Sequence, residues 1–227
     1  MAFKFDQIVP WGRSLKEYCK FFNLSENDLD KKILSVGDGP CSFNSEMLKL
    51  DKFCVSFDPI YEFTKQQIQN RIDETYLLVQ QETYENFNNF IWKEYKNPEE
   101  LFKIRLNSMA IFLEDFEKGK MENRYITGEL PDLPFENDAF DLALSSHFLF
   151  LYTEQFSLEN HIKSIIEILR VANELRIFPI LDFDAKKSEH LNPVLSKMKK
   201  KGFNCSIEKV NYEFQKGGNE MLKIVKT

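Results

Sequence analysis

Three short stretches of this chain carry residue types that could hold a nucleoside and do chemistry beside it. The first is Ile33 to Phe43, Ile-Leu-Ser-Val-Gly-Asp-Gly-Pro-Cys-Ser-Phe, where β-branched and apolar residues run into Gly37 and Gly39. Glycine permits the tight positive-φ turn that brings backbone N–H groups up to a ligand, and a helix N-terminus behind it favours negative charge. The second is Asp58, which follows the turn by about twenty residues, the separation at which a carboxylate on the next strand tip accepts hydrogen bonds from ribose hydroxyls. Asp-Pro is also a good helix start, so Asp58 can cap a helix as well as bind. The third is Ser146-His147, where His147 suits a ligand contact more readily than a base. Arg13, in Pro10-Trp11-Gly12-Arg13-Ser14, offers a planar fork for a carboxylate, and Tyr61 lies one turn beyond Asp58. A lone Gly-x-Gly equally describes an ordinary strand-to-helix turn. The elements around it must decide.

Those elements read as alternating strands and helices. Ile33, Leu34 and Val36 suit a central parallel strand, and 44–50 a helix after the turn. Before them, Leu15, Tyr18, Phe21 and Phe22 mark an amphipathic helix, and Ser25 with Asp28 forms an approximate capping box for 26–31. Residues 1–32 thus make a helical preface, either a flap over the pocket carrying Arg13 or a plug in which Trp11 and the phenylalanines close the sheet edge. The second strand is 53–57. Residues 62–119 exceed the dozen or so that a minimal crossover needs. They are expected to form a helical insertion over the mouth of the sheet, shaping access to it. One helix starts near Phe63, a second segment carries Tyr84 to Tyr95, and a third helix is capped by Asn97-Pro98 and ended by Gly119. Strands follow at 124–128, 140–146 and 174–180, the last ended by Pro179. Ser157 opens a helix, and 189–201 forms a basic-faced helix stopped by Gly202. The runs 203–214 and 220–225, joined through Gly217-Gly218, read as a terminal hairpin. In an open parallel sheet ligands sit beyond the carboxyl ends of the strands, which is where Ser146 and His147 fall.

With 227 residues the chain is long enough for one large domain with an insertion. Thirty Lys and Arg against 36 Asp and Glu, a formal charge of -6, supply no global basic field, which argues against a nucleic-acid partner. Cys19, Cys41, Cys54 and Cys205 are scattered, without Cys-x-x-Cys, and so argue against a zinc site or a disulfide framework. Reduced thiols are expected. No apolar run is long enough to span a bilayer, and the start lacks an apolar signal core, so a cytoplasmic protein without membrane contact is expected. The 22 phenylalanines are accounted for by core packing.

The combination of Leu34-Ser35-Val36-Gly37-Asp38-Gly39, the acidic strand end at Asp58, Leu133-Pro134-Phe135 leading into Phe140-Asp141-Leu142, and the terminal hairpin resembles the class I, Rossmann-like S-adenosylmethionine-dependent methyltransferases. The resemblance covers most of the chain from Ile33 onward except the insertion. The combination of Pro-Trp-Gly-Arg-Ser, Leu-Ser-Val-Gly-Asp-Gly-Pro, Asp-Pro-Ile-Tyr, Ser-His-Phe-Leu-Phe-Leu-Tyr and Arg-Ile-Phe-Pro is similar to an uncharacterised bacterial subgroup of that superfamily. It implies an α/β doubly wound sheet, mostly parallel, with a C-terminal antiparallel strand. It also implies S-adenosyl-L-methionine as methyl donor and a small-molecule or peptide methyl acceptor. Carried onto this chain, Gly37 and Gly39, with Pro40 beside them, would approach the methionine portion. Asp58, with Pro59, would take the ribose, Glu129 and Leu130 would flank the adenine, and Ser146 and His147 would lie beneath the sulfonium. Arg13 is the candidate for the cofactor carboxylate, and His147, Tyr61 and Tyr152 are the candidate bases. The family usually has an acid at Ser35, for which Asp38 could compensate by taking the amino group, and a third glycine at Cys41. Those departures motivate a second reading, a catalytically silent cofactor-binding or partner-binding module. A third is RNA modification through Lys197, Lys199, Lys200 and Lys201, a run that also fits a solvated helix face.

Overall fold

A computed structural model describes residues 9–227 of the chain; the start of the N-terminal preface, including Ile8, lies outside the described residues. Seven strands form one sheet: β1 (Ile33–Val36), β2 (Cys54–Phe57), β3 (Tyr125–Ile126), β4 (Phe140–Ser146), β5 (Ala172–Phe178), β6 (Asn204–Lys209) and β7 (Glu220–Val225). Their order is β3-β2-β1-β4-β5-β7-β6. The first five are parallel, and β7 runs antiparallel to both β5 and β6. This is the Rossmann-like methyltransferase arrangement that the resemblance implies. All four residues of β1 are buried, as a strand covered on both faces requires.

Alternation along the strands sorts their side chains onto two layers. Leu34, Val36, Ala143 and Ile177 pack against α6 (Leu158–Val171) and α7 (Leu191–Lys200). On the other face Ile33, Leu142 and Leu144 meet α1 (Leu15–Phe21), α3 (Phe43–Lys49) and α5 (Pro98–Met121). The short α2 (Glu26–Leu29) starts at the Ser25 and Asp28 capping box, and Asp28 also holds Arg176 of β5. The insertion consists of α4 (Lys65–Glu85) and α5, joined by a 3-10 turn at Phe87–Asn89. Asn97 caps α5 by accepting the Glu100 N–H at 2.9 Å. Arg124, at the foot of β3, binds Asp115 of α5 through both terminal nitrogens at 2.6 and 2.8 Å, and reaches Asn44 of α3 at 2.7 Å. Such a bidentate pair fixes the insertion to the sheet edge. No helix among the described residues is long and apolar enough to cross a membrane.

Two sequence expectations are corrected. Gly119 does not end its helix, which continues to Met121. It is the point where α5 touches β3: a Cβ there would lie 2.3 Å from the Tyr125 ring. In an exposed helix Gly→Ala gains about 1 kcal/mol. Here overpacking reverses the sign, and Gly119→Ala is expected to cost about 1–3 kcal/mol, read as a lowered urea midpoint at unchanged slope. The terminal hairpin is also not closed by a tight Gly-Gly turn. Its ladder ends at Lys209 and Glu220, with Val210 N–H donating to Asn219 O at 3.0 Å. The residues between leave the sheet because Tyr212 and Phe214 are taken up by aromatic packing. Phe214 stacks on Phe90 at 4.5 Å, and its carbonyl accepts the Ile91 N–H at 2.7 Å.

Candidate functional site

Two adjoining cavities open at the carboxyl ends of the parallel strands. The larger, about 490 Å³, is lined by Gly37 to Pro40 after β1, by Asp58 and Pro59 after β2, by Glu129 and Leu130 after β3, and by Ser146 and His147 at the end of β4. Arg13 and Tyr152 complete the set. Every residue named from the sequence as a cofactor contact therefore meets one space. Gly37 and Gly39 both have positive φ, +64° and +57°. A Cβ on Gly39 would meet nothing within 4 Å, whereas one on Gly37 would strike the Phe148 ring at 2.7 Å. The first therefore borders open space and the second is a close approach.

Asp58 ties the turn to the second strand. One carboxylate oxygen accepts the Gly39 N–H at 2.9 Å and the other the Ile60 N–H at 2.8 Å, capping the 3-10 turn Pro59–Glu62. Burial pushes its carboxyl up to about 6, against the pull of these two amides. Capping and lining the cavity thus coexist in one side chain.

Asp38 contributes to the cavity wall, but its carboxylate is held inside the protein. Its carboxylate accepts from the Ser35 hydroxyl at 2.7 Å and from the hydroxyls of Tyr18 and Ser56, and the residue is 3% exposed. These bonds hold the carboxylate within the turn, and burial raises its pKa. Cys41 is absent from the cavity wall, and its sulfur accepts the Arg13 N–H at 3.2 Å.

Of the three candidate bases, Tyr61 is corrected. It is fully buried in the cluster between α4 and α5, and its hydroxyl donates to Gly39 O at 2.8 Å, so it braces the turn from behind rather than facing the cavity. His147 and Tyr152 line both cavities. His147 has φ +55°, its N–H donates to Phe178 O at 2.6 Å, and its Nδ1 pairs with the Ser146 hydroxyl at 2.9 Å. Burial, together with the guanidiniums of Arg13 and Arg105, holds its pKa well below 6.5, so the ring is neutral at physiological pH. The other two histidines serve the backbone. His161 Nε2 accepts the Phe150 N–H at 3.1 Å and His190 Nε2 contacts Phe156 O at 3.1 Å, bracing the loop after β4.

Arg13 alone of the six arginines makes no ion pair among the described residues. Its Nη1 donates to Trp11 O at 2.8 Å, and its buried Nε has no partner. An unmatched guanidinium on a cavity wall is a ready site for a carboxylate.

The smaller cavity, about 150 Å³, shares Val9, Trp11, Arg13, His147 and Tyr152 with the larger one. Its far walls come from Val79, Thr83, Leu101 and Arg105 of the insertion and from Tyr212 and Phe214 of the loop between β6 and β7. Sequence reading missed these as site residues because they arrive from separate segments. One signal was available: Arg105 sits between Leu101 and Met109 on the apolar stripe of α5, where a charge implies a buried partner. The lysines at 197, 199, 200 and 201 are exposed at the end of α7, which contributes nothing to either wall.

No protein-family model matches the chain. By sequence it is similar to an uncharacterised protein of Methanocaldococcus jannaschii, 36% identical over 217 residues covering 95% of each chain. That relative is archaeal, so the bacterial qualifier on the resemblance is not carried forward. By structure it is similar to an S-adenosylmethionine-dependent methyltransferase from Aquifex aeolicus, with 13% identity, 92% of this chain and 94% of that one covered, and a TM-score of 0.42. It is similar too to magnesium protoporphyrin IX methyltransferase from Synechocystis, solved with bound S-adenosylmethionine, with 9% identity, 87% and 70% covered, and a TM-score of 0.43.

Proposed function

We propose that this chain, which belongs to the same family as the uncharacterised archaeal protein, is an S-adenosylmethionine-dependent methyltransferase acting on a small acceptor. The observation that carries the reading is the convergence of the Gly37–Pro40 turn, Asp58, Leu130 and the Ser146–His147 pair on one cavity at the strand ends. Its size falls within the roughly 300–1,000 Å³ typical of small-molecule sites. The residues present fit the cofactor. Gly39 borders open space, Asp58 offers a half-buried carboxylate for a diol, and Arg13, on the cavity wall without an ion pair among the described residues, offers its guanidinium to a carboxylate.

When bound, S-adenosylmethionine supplies an electrophilic methyl group on a sulfonium whose departure leaves a neutral thioether. The chain's own contribution is to hold, align and dry the reacting centre. Gly37 and Gly39 would bring backbone against the methionine portion, with Asp38 behind them tied to Tyr18, Ser35 and Ser56. Leu130 and Glu129 flank the adenine, and Arg13 holds the amino-acid carboxylate. Ser146 fixes the ring of His147, which lies between the two cavities and can take a hydrogen bond or a proton from an acceptor. Alignment and exclusion of water are worth several powers of ten in such displacements. Tyr152, whose hydroxyl accepts the Val9 N–H at 3.5 Å, closes the side of the site toward the N-terminal preface.

Asp58 gives this reading a pH signature. Two ribose hydroxyls need an acceptor, so binding selects the ionised carboxylate. Affinity for S-adenosylhomocysteine is expected to level off above pH 6 and to fall as pH drops below it, with a proton released on binding there. Calorimetry in buffers of different ionisation enthalpy reads both. An affinity that is flat, or that rises on acidification, would remove Asp58 from the diol site.

A further inference from the structure

We infer that the smaller cavity takes a single-ring aromatic alcohol, of the phenol class, as the methyl acceptor, its oxygen set on the side of Arg105 and His147. As an acceptor assignment this rests on the reading of the larger cavity as the cofactor site; as a binding site it does not. At about 150 Å³ the space matches a cavity that admits one benzene-sized ring. Its walls are rich in ring faces and edges, from Trp11, Phe90, Tyr152, Phe178, Tyr212 and Phe214, which suit a planar guest.

The polar groups specify the substituent. Arg105 is 2% exposed, and its terminal nitrogens are committed to Glu17, Tyr95 and Gly12, yet its Nε has no partner; neither has the Nε of Arg13. Both atoms are closed off from the cavity, so the guanidiniums act on a guest through their charge rather than through a free donor. A hydrocarbon gains nothing from that charge, whereas an oxygen able to carry negative charge does. Two guanidiniums against the single carboxylate of Glu17 leave positive charge beside the cavity. That charge favours a phenolate, whereas an amine nucleophile gains nothing from it. The neutral His147 is a weak proton sink, so the acceptor must be one whose acidity the cations can raise. In the transfer, an oxygen lone pair forms the new carbon–oxygen bond as the methyl carbon–sulfur bond breaks. That bond's electrons stay on sulfur, and the phenolic proton leaves through His147 to water.

The test titrates phenol, toluene and cyclohexanol into the full chain, alone and saturated with S-adenosylhomocysteine. Phenol is expected to bind at least about tenfold tighter than either analogue, since sites built around a hydroxyl reject its absence strongly. Its phenolate absorption band is expected to emerge at lower pH when bound than when free. Val79→Phe, which fills the cavity from α4 on the side away from the larger one, is expected to abolish phenol binding and leave S-adenosylhomocysteine affinity unchanged. Arg105→Gln is expected to lose the phenolate shift; Val79→Phe keeps the test intact should that variant fail to fold. S-adenosylhomocysteine binding with no preference for phenol over toluene overturns the acceptor assignment and leaves the cofactor reading standing. Selective phenol binding without any S-adenosylhomocysteine binding supports the cavity's ligand and overturns the cofactor reading.

Discussion

Asp58→Ala is expected to weaken S-adenosylmethionine binding by about 100-fold, since a hydrogen bond to a charged group contributes about 1.5–3 kcal/mol and two ribose hydroxyls are at stake. The same substitution removes the cap of the 3-10 turn at Pro59 and the acceptor for Gly39 N–H, costing about 1 kcal/mol of fold stability. The two effects separate by measurement: calorimetry reads the first and urea unfolding the second. Asp58→Asn keeps one oxygen acceptor but loses the charge, and is expected to fall between, near a tenfold loss by the same reckoning. Binding unchanged in the alanine variant would mean that Asp58 serves only the turn.

The largest stability effect is expected at Glu17. Its carboxylate, on α1, pairs with Arg105 of the insertion, and their side chains are 8% and 3% exposed. Tyr95 donates to the same carboxylate, and Ser14 N–H to its other oxygen at 3.0 Å. Breaking such a pair leaves a buried guanidinium uncompensated, so Glu17→Gln is expected to cost about 3–5 kcal/mol. That is a large share of the roughly 5–15 kcal/mol by which domains are stable, so the urea midpoint should shift well outside error. Burial alone would raise the pKa of Glu17, but Arg105 and Tyr95 hold it down to about 2. A depressed carboxyl contributes stability that is present above its ordinary value of 4.5 and lost as pH falls toward 2. Wild type should lose that increment across this window, and the variant should not. A Glu17→Gln protein as stable as wild type would show the pair to be dispensable and would detach the N-terminal preface from the insertion energetically.

What the sequence made legible follows from how local each signal is. β1 and β4 are read at their observed bounds because runs dominated by apolar and small residues meet clear stops at Gly37 and at the Ser146–His147 junction. Caps at Ser25, Asn97 and Ser157 place helix starts because one side chain answers to amides two or three residues away. Signals that depend on distant partners were misread. Gly119 resembles a helix stop but answers to Tyr125, and the stretch after Lys209 resembles strand but answers to Phe90 and Tyr95. At the site the same division holds. The glycine turn and Asp58 are readable because their separation along a βαβ unit is fixed. The inward turn of Asp38 and the retreat of Tyr61 depend on Tyr18, Ser56 and α5, which no local spacing connects to them.

The larger cavity as a nucleoside-sulfonium site is the claim on which the rest depends. Calorimetric titration of the purified full chain with S-adenosylmethionine and with S-adenosylhomocysteine tests it most directly. One site per chain with micromolar affinity, weakened by Asp58→Ala and by Arg13→Leu, is the predicted result; no heat with either ligand at millimolar concentration would contradict it.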